Sequence, residues 1–155
     1  MLSEIVQLPA KALPTTPDEA EKNLAEMTSP LEKARAEANY TETRRLHWAM
    51  AGVRNSRSST VHEEIMETRI QVIRVGDTVF SAVPGEMLVK LGLEIKARVR
   101  MQNIFVITMA NDCIGYLPNR EDYALGGYEP ATSSFILPGG GETIVEAVLA
   151  LIERL

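Results

Sequence analysis

Side chains able to do polar chemistry gather in one stretch, NDCIGYLPNREDYALGGYEPATSS, Asn111 to Ser134. It holds three of the four tyrosines in the chain, Tyr116, Tyr123 and Tyr128, among Gly, Pro and Asn residues that favour turns. A loop on the surface gives a tyrosine ring little core to fill, so the hydroxyl is the useful part and the stretch is a site candidate. A second candidate is Glu86 in VPGEM, where a strand gives way to a helix. Its carboxylate either points over the sheet edge, where α/β proteins form their sites, or sits favourably in the positive first turn of the helix. The apolar run NIFVITMA delivers Asn111 to a strand end in the same way, with Tyr116 five residues on and Tyr128 twelve beyond that.

The remaining polar candidates carry weaker chemistry. His47 and His62 are the only histidines, and a separation of 15 residues matches no metal-binding spacing. VHEEIM is not the His-Glu-x-x-His helix of zinc proteases, so both histidines read as surface or helix-packing residues. LPGGGETI can cradle an anion at a helix start or serve as a flexible connector. The connector is favoured, because no Lys-Ser/Thr pair or dinucleotide pattern accompanies the glycines.

These residues need elements to position them. TTPDEAEKNLAEM has Thr16 as N-cap, Pro17 at the first helical position and Glu19 as reciprocal partner, with Ala20, Leu24 and Met27 at helical spacing. SPLEKARAEANYTETRRLHWAMAGVRN repeats that start signal, and Leu31, Ala34, Ala38 and Leu46 predict a second, longer helix separated from the first at Pro30. VRNSRSST reads as an exposed loop. From Glu67 the period changes to strand, with Gly76-Asp77 as a two-residue hairpin turn. GEMLVKLGLEIKARVR returns to helical spacing through Leu88, Leu91, Ile95 and Val99, NIFVITMA predicts a buried strand, and GETIVEAVLALIERL predicts a closing helix. The order αα-ββ-α-β-loop-α predicts a mixed α/β fold with helices packed on a sheet.

With 155 residues and 45% hydrophobic content, the chain suits one domain or a domain fragment, divided into a helical segment, 1–66, and an α/β segment, 67–155. Sixteen basic against 21 acidic residues leave a net charge of −5 and no basic stripe, which disfavours nucleic acid. The single cysteine, Cys113, allows no internal disulfide or thiolate cage and fits a reducing compartment. The start MLSEIVQLPAKALP has no basic region or sustained apolar run, so no secretory signal or membrane span is expected, and a cytoplasmic location follows if the chain is complete.

GDTVFSAVPGE followed by ANDCIGYLPNREDYALGGYEPATSS resembles the C-terminal part of the catalytic domain of neutral/alkaline, non-lysosomal ceramidases and their bacterial relatives. The shared pattern is a Pro-Gly-Glu turn, a strand ending in Asn, a Tyr five residues later, and Tyr-Glu before Ala-Thr-Ser-Ser. It covers Thr68 to Leu155 well, and the N-terminal helices fit it loosely. The resemblance implies a zinc-dependent amide hydrolase acting on an N-acylsphingosine or a related lipid-like N-acyl amide. It implies Glu86 as carboxylate ligand, Tyr116 as tyrosine ligand, Tyr128 as the donor to the oxyanion of the tetrahedral intermediate, and Asn111 as a supporting or substrate-contacting residue. The two zinc histidines of the family lie in a half that this chain lacks, so the isolated chain is expected to hold no zinc and to be inactive. Two readings follow: a C-terminal portion that needs its missing N-terminal half, or a non-catalytic α/β module that homo-oligomerises.

Overall fold

The computed structural model describes residues 1–11, 16–56 and 65–155. In chain order the elements are β1 (Leu2–Pro9), α1 (Pro17–Ala36), α2 (Tyr40–Ser56), β2 (Ile65–Val75), β3 (Thr78–Ala82), β4 (Glu86–Met87), α3 (Val89–Arg98), β5 (Asn103–Ile107), β6 (Tyr116–Leu117), α4 (Arg120–Leu125), α5 (Tyr128–Thr132) and α6 (Gly140–Glu153). The fold is mixed α/β, as expected. Four strands form a sheet in the order β1-β2-β3-β5, and β4 and β6 form a separate two-stranded ladder. The expected hairpin forms at Gly76-Asp77, where β2 and β3 run antiparallel with Val75 opposite Thr78.

One face of the sheet carries the core. Val6, Leu8, Ile70, Val72 and Val79 point inward from the strands and pack with Leu91 and Ile95 of α3 and Ile144, Val145, Val148 and Leu151 of α6. Each such aliphatic side chain contributes roughly 1.5–3 kcal/mol on burial. The strand β1 is absent from the expected order: its partner β2 lies some sixty residues away, with Gln7 opposite Glu67, so no local hairpin announces it. The strand β5, expected to be buried, is the outer strand of the sheet, and Phe105 and Ile107 are 55% and 44% exposed.

The two N-terminal helices differ from expectation in where they divide. Thr16 caps α1 with the predicted reciprocal bonds to Glu19, but α1 runs through Pro30. Proline removes a bond to the carbonyl four residues back, and both Glu26 and Pro30 are exposed, where water can take that carbonyl's bond. The chain breaks at Glu37–Asn39 instead: Ala38 adopts a positive φ of 52°, and the Asn39 side chain accepts from the Glu42 amide at 3.1 Å, capping α2. The two helices enclose a small core of Leu31, Ala34, Leu46 and Met50. Val53–Ser56, expected in a loop, continue α2, and the rest of VRNSRSST, together with His62, lies outside the described residues.

The glycines of LPGGGETI are part of the packed structure, not a connector. Gly140 and Gly141 are buried as the first residues of α6, against Ile136, Leu91 and Pro118. Among the described residues no helix is long and apolar enough to cross a membrane.

Candidate active site

The stretch from Asn111 to Ser134 is largely ordered into short elements, and its first task is to bring two segments together. The strands β4 and β6 run parallel with Glu86 directly opposite Tyr116, fixed by the Glu86 amide donating to the Gly115 carbonyl at 2.9 Å and the Leu88 amide to that of Leu117 at 3.2 Å. Opposite residues in a ladder place their side chains on one face, so carboxylate and phenol stand side by side. Glu86 lies in a strand three residues before α3 begins, which removes its alternative role in the helix's first turn. Gly115 permits this convergence, since a Cβ there would lie 2.1 Å from the Ser133 carbonyl oxygen, and the next amide, that of Tyr116, donates to the same carbonyl at 3.0 Å.

Tyr128 opens α5 and stands edge-on to Tyr116, with ring centroids 6.0 Å apart. The Trp48 ring of α2 also meets it edge-on, at 5.5 Å. Such edge-to-face pairs are each worth about 0.5–1.5 kcal/mol beyond burial and fix ring orientation. The Tyr116 hydroxyl has its pKa raised, first by burial, then by the negative charge of Glu86 and a side-chain hydrogen bond with it, and further by Tyr128 and Glu129. Glu86, Tyr116, Tyr128 and Glu129 therefore share one electrostatic neighbourhood.

The turn that carries Asn111 adjoins the Glu86 strand, with the Met109 amide donating to the Gly85 carbonyl at 3.2 Å. Asn111 is exposed, takes a positive φ of 70° in the turn after β5, and its side chain makes no hydrogen bond among the described residues. The Tyr123 hydroxyl donates to the Ile136 carbonyl at 2.6 Å and shares a 2.6 Å hydrogen bond with Ser134, so it braces the segment internally. His47 is exposed on α2 with its ring 5.3 Å from that of Trp48. Two residues of the site escaped attention in the sequence. Trp48, the only tryptophan, sits in a helix whose spacing marks no site, while Glu129 stands in the quoted Tyr-Glu pair beside Tyr128.

Among the described residues no three His, Cys, Asp or Glu side chains are grouped to hold a metal ion. Glu86 and Tyr116 provide two adjacent oxygen donors. That suits two positions of a zinc site, which ordinarily has three protein ligands and an open position when catalytic.

No family model matches this chain, and no curated protein matches it. Solved structures do. A ceramidase solved in complex with C2 superposes on 57% of the chain with a TM-score of 0.51 and 26% identity. The neutral ceramidase from Pseudomonas aeruginosa superposes on 58% with a TM-score of 0.50 and 27% identity. This chain is similar to part of a neutral ceramidase domain. The matched region spans only 15% and 16% of those two ceramidase chains.

Proposed function

We propose that this chain is the carboxylate-and-phenol portion of a zinc-dependent, ceramidase-like amide hydrolase, completed by imidazole ligands from outside the chain and acting on the N-acyl amide of a ceramide or related lipid. The observation that carries this is the pairing of Glu86 opposite Tyr116 with the Tyr128 ring against Tyr116. The likeness to neutral ceramidases supports it. Glu86 and Tyr116 would hold the metal, which supplies a Lewis acid and a water that loses its proton near neutral pH. The negative charge of Glu86 favours retention of a cation, and the ladder fixes both donors without help from a mobile loop. Tyr128 would donate its hydroxyl proton in a hydrogen bond to the amide oxygen as that oxygen becomes negative. Trp48 and Tyr116, both edge-on to it, hold the Tyr128 ring for that task.

The experiment uses a polypeptide in which this chain is joined to a histidine-bearing segment. Glu86→Ala is expected to abolish zinc retention, read by metal analysis, together with activity on N-acyl amides. Tyr128→Phe is expected to keep the metal and to lower turnover by roughly a hundredfold or more, the scale of losing one oxyanion donor. Metal loss in Tyr128→Phe, or retained metal and activity in Glu86→Ala, would overturn these roles.

A further inference from the structure

A cleft of about 290 Å³ opens beside the site, between the β4–α3 junction and the α4–α5 segment. Its apolar walls include Leu88, Val89 and Leu125, the last two 72% and 69% exposed. Its charged lining consists of Lys90, Asp122 and Glu129. The charges do not balance. The Lys90 ammonium is already engaged by Glu121 at 2.8 Å and Asp122 at 3.5 Å, whereas the Glu129 carboxylate makes no hydrogen bond or ion pair among the described residues. Three carboxylates, those of Glu121, Asp122 and Glu129, thus stand against one ammonium, and Glu129 is the one that the ammonium does not pair with, next to exposed aliphatic surface. The cleft's chemical complement is an amphiphile with a cationic head and an alkyl chain.

We propose that this cleft holds the amine-bearing half of the substrate, with Glu129 receiving the ammonium that hydrolysis releases. This assignment rests on the amide-hydrolase reading. In that reaction water forms the new carbon–oxygen bond, the carbon–nitrogen bond breaks, and R–CO–NH–R′ with H₂O gives R–COO⁻ and R′–NH₃⁺. The amide nitrogen is neutral before cleavage and cationic after it, so an unpaired carboxylate one residue from Tyr128 suits the nitrogen side and repels the fatty carboxylate. The acyl half then lies away from this cleft. The alkyl part of the amine half runs along Leu88, Val89 and Leu125.

The test needs neither metal nor turnover. The chain is titrated by calorimetry with dodecylammonium, dodecanol and dodecanoate, each below its micelle concentration, while the emission of Trp48 reports on the neighbouring Tyr128. Dodecylammonium is expected to bind about tenfold or more tighter than either of the others, the scale of one charge-assisted hydrogen bond. Glu129→Gln should remove that advantage and leave dodecanol binding within about twofold. Leu125→Ser, at a largely exposed position, should weaken all three ligands. Dodecanoate binding as tightly as the amine, an undiminished amine preference in Glu129→Gln, or absence of binding by every probe would each overturn the cleft assignment. A diffuse attraction of cations to an acidic chain would survive Glu129→Gln and so counts against it. Failure of the metal-loaded complete protein to cleave amides would instead overturn the hydrolase reading, leaving an amine-amphiphile site without a reaction.

Discussion

At the scale of single residues, Lys11 shows how the fold changes a side chain's chemistry near the site. Its ammonium donates to the Pro130 carbonyl at 2.5 Å and lies 5.0 Å from the centre of the Tyr123 ring. Burial lowers its pKa from 10.5 to about 8. The sign follows from proton counting. From about pH 8 upward to 10.5 the unfolded chain keeps a proton that the folded chain has shed, so this residue's contribution to stability rises with pH by at most about 1.4 kcal/mol per unit. That contribution is lost as pH falls through 8, below which both states carry the charge. Tyr123 acts in the opposite direction at higher pH: burial raises its pKa, and its contribution is lost on passing above the ordinary value of 10. We expect the urea midpoint of the native chain, relative to Lys11→Met, to rise between about pH 8 and about pH 9.5. Parallel pH curves for the two proteins would show that Lys11 keeps its proton in the fold. Because Pro130 follows Tyr128 by two residues, the Lys11 contact also ties the N-terminal strand to the segment that carries the proposed oxyanion donor.

At the scale of elements, the approach of α2 to α5 decides where Tyr128 stands. Gly52 makes it possible: a Cβ there would lie 1.9 Å from the Ala131 carbonyl oxygen. Gly52→Ala is therefore expected to push the helices apart, to cost about 1–3 kcal/mol, and to change the Trp48 emission by loosening its contact with Tyr128. Gly92 in α3 is the matched control, with nothing within 4 Å of an added Cβ. Gly92→Ala should stabilise by about 0.4–1 kcal/mol and leave the emission unchanged, both read by urea melts followed at Trp48. Equal responses of the two variants would mean that α2 does not hold α5 in place. What the sequence disclosed follows the same division between local and distant contacts. The cap at Thr16, the turn at Gly76-Asp77 and the spacing of α3 and α6 depend on neighbours a few residues away, and they were legible. The strand β1 and the opposition of Glu86 and Tyr116 depend on partners thirty to seventy residues distant, which no periodicity reports. Asn39, with Glu42 three residues on, was a readable helix start, but Pro30 offered a competing signal that the exposed face of α1 tolerates.

At the scale of the whole molecule, the core among the described residues lies on one face of the sheet. On the other face, Phe80 and Phe105 stack with ring centroids 5.4 Å apart, and Ile107 continues the apolar surface along β5, whose outer side pairs with no strand among the described residues. The far half of the same face is mixed, with Gln7 donating to Glu67 at 2.8 Å and Arg69 reaching Ser3 at 3.4 Å beside the exposed Ile5 and Ile65. An apolar patch beside an open edge strand is prone to association unless something covers it. If this chain works as one portion of a longer or assembled hydrolase, that surface is where the remainder packs, and in its absence a second copy is the available substitute. The isolated chain is therefore expected to self-associate with rising concentration, measured by sedimentation. Phe105→Lys combined with Ile107→Lys should reduce that association at a modest cost in thermal midpoint, since both side chains are already about half in water and only the Phe80 stacking is lost. Joined to the histidine-bearing segment, the same double variant should also fail to retain zinc, although neither residue is a metal ligand. A chain that stays monomeric at every concentration, or a joined double variant that holds zinc as well as its parent, would place the missing ligands against some other surface and remove the open sheet edge from the proposed assembly.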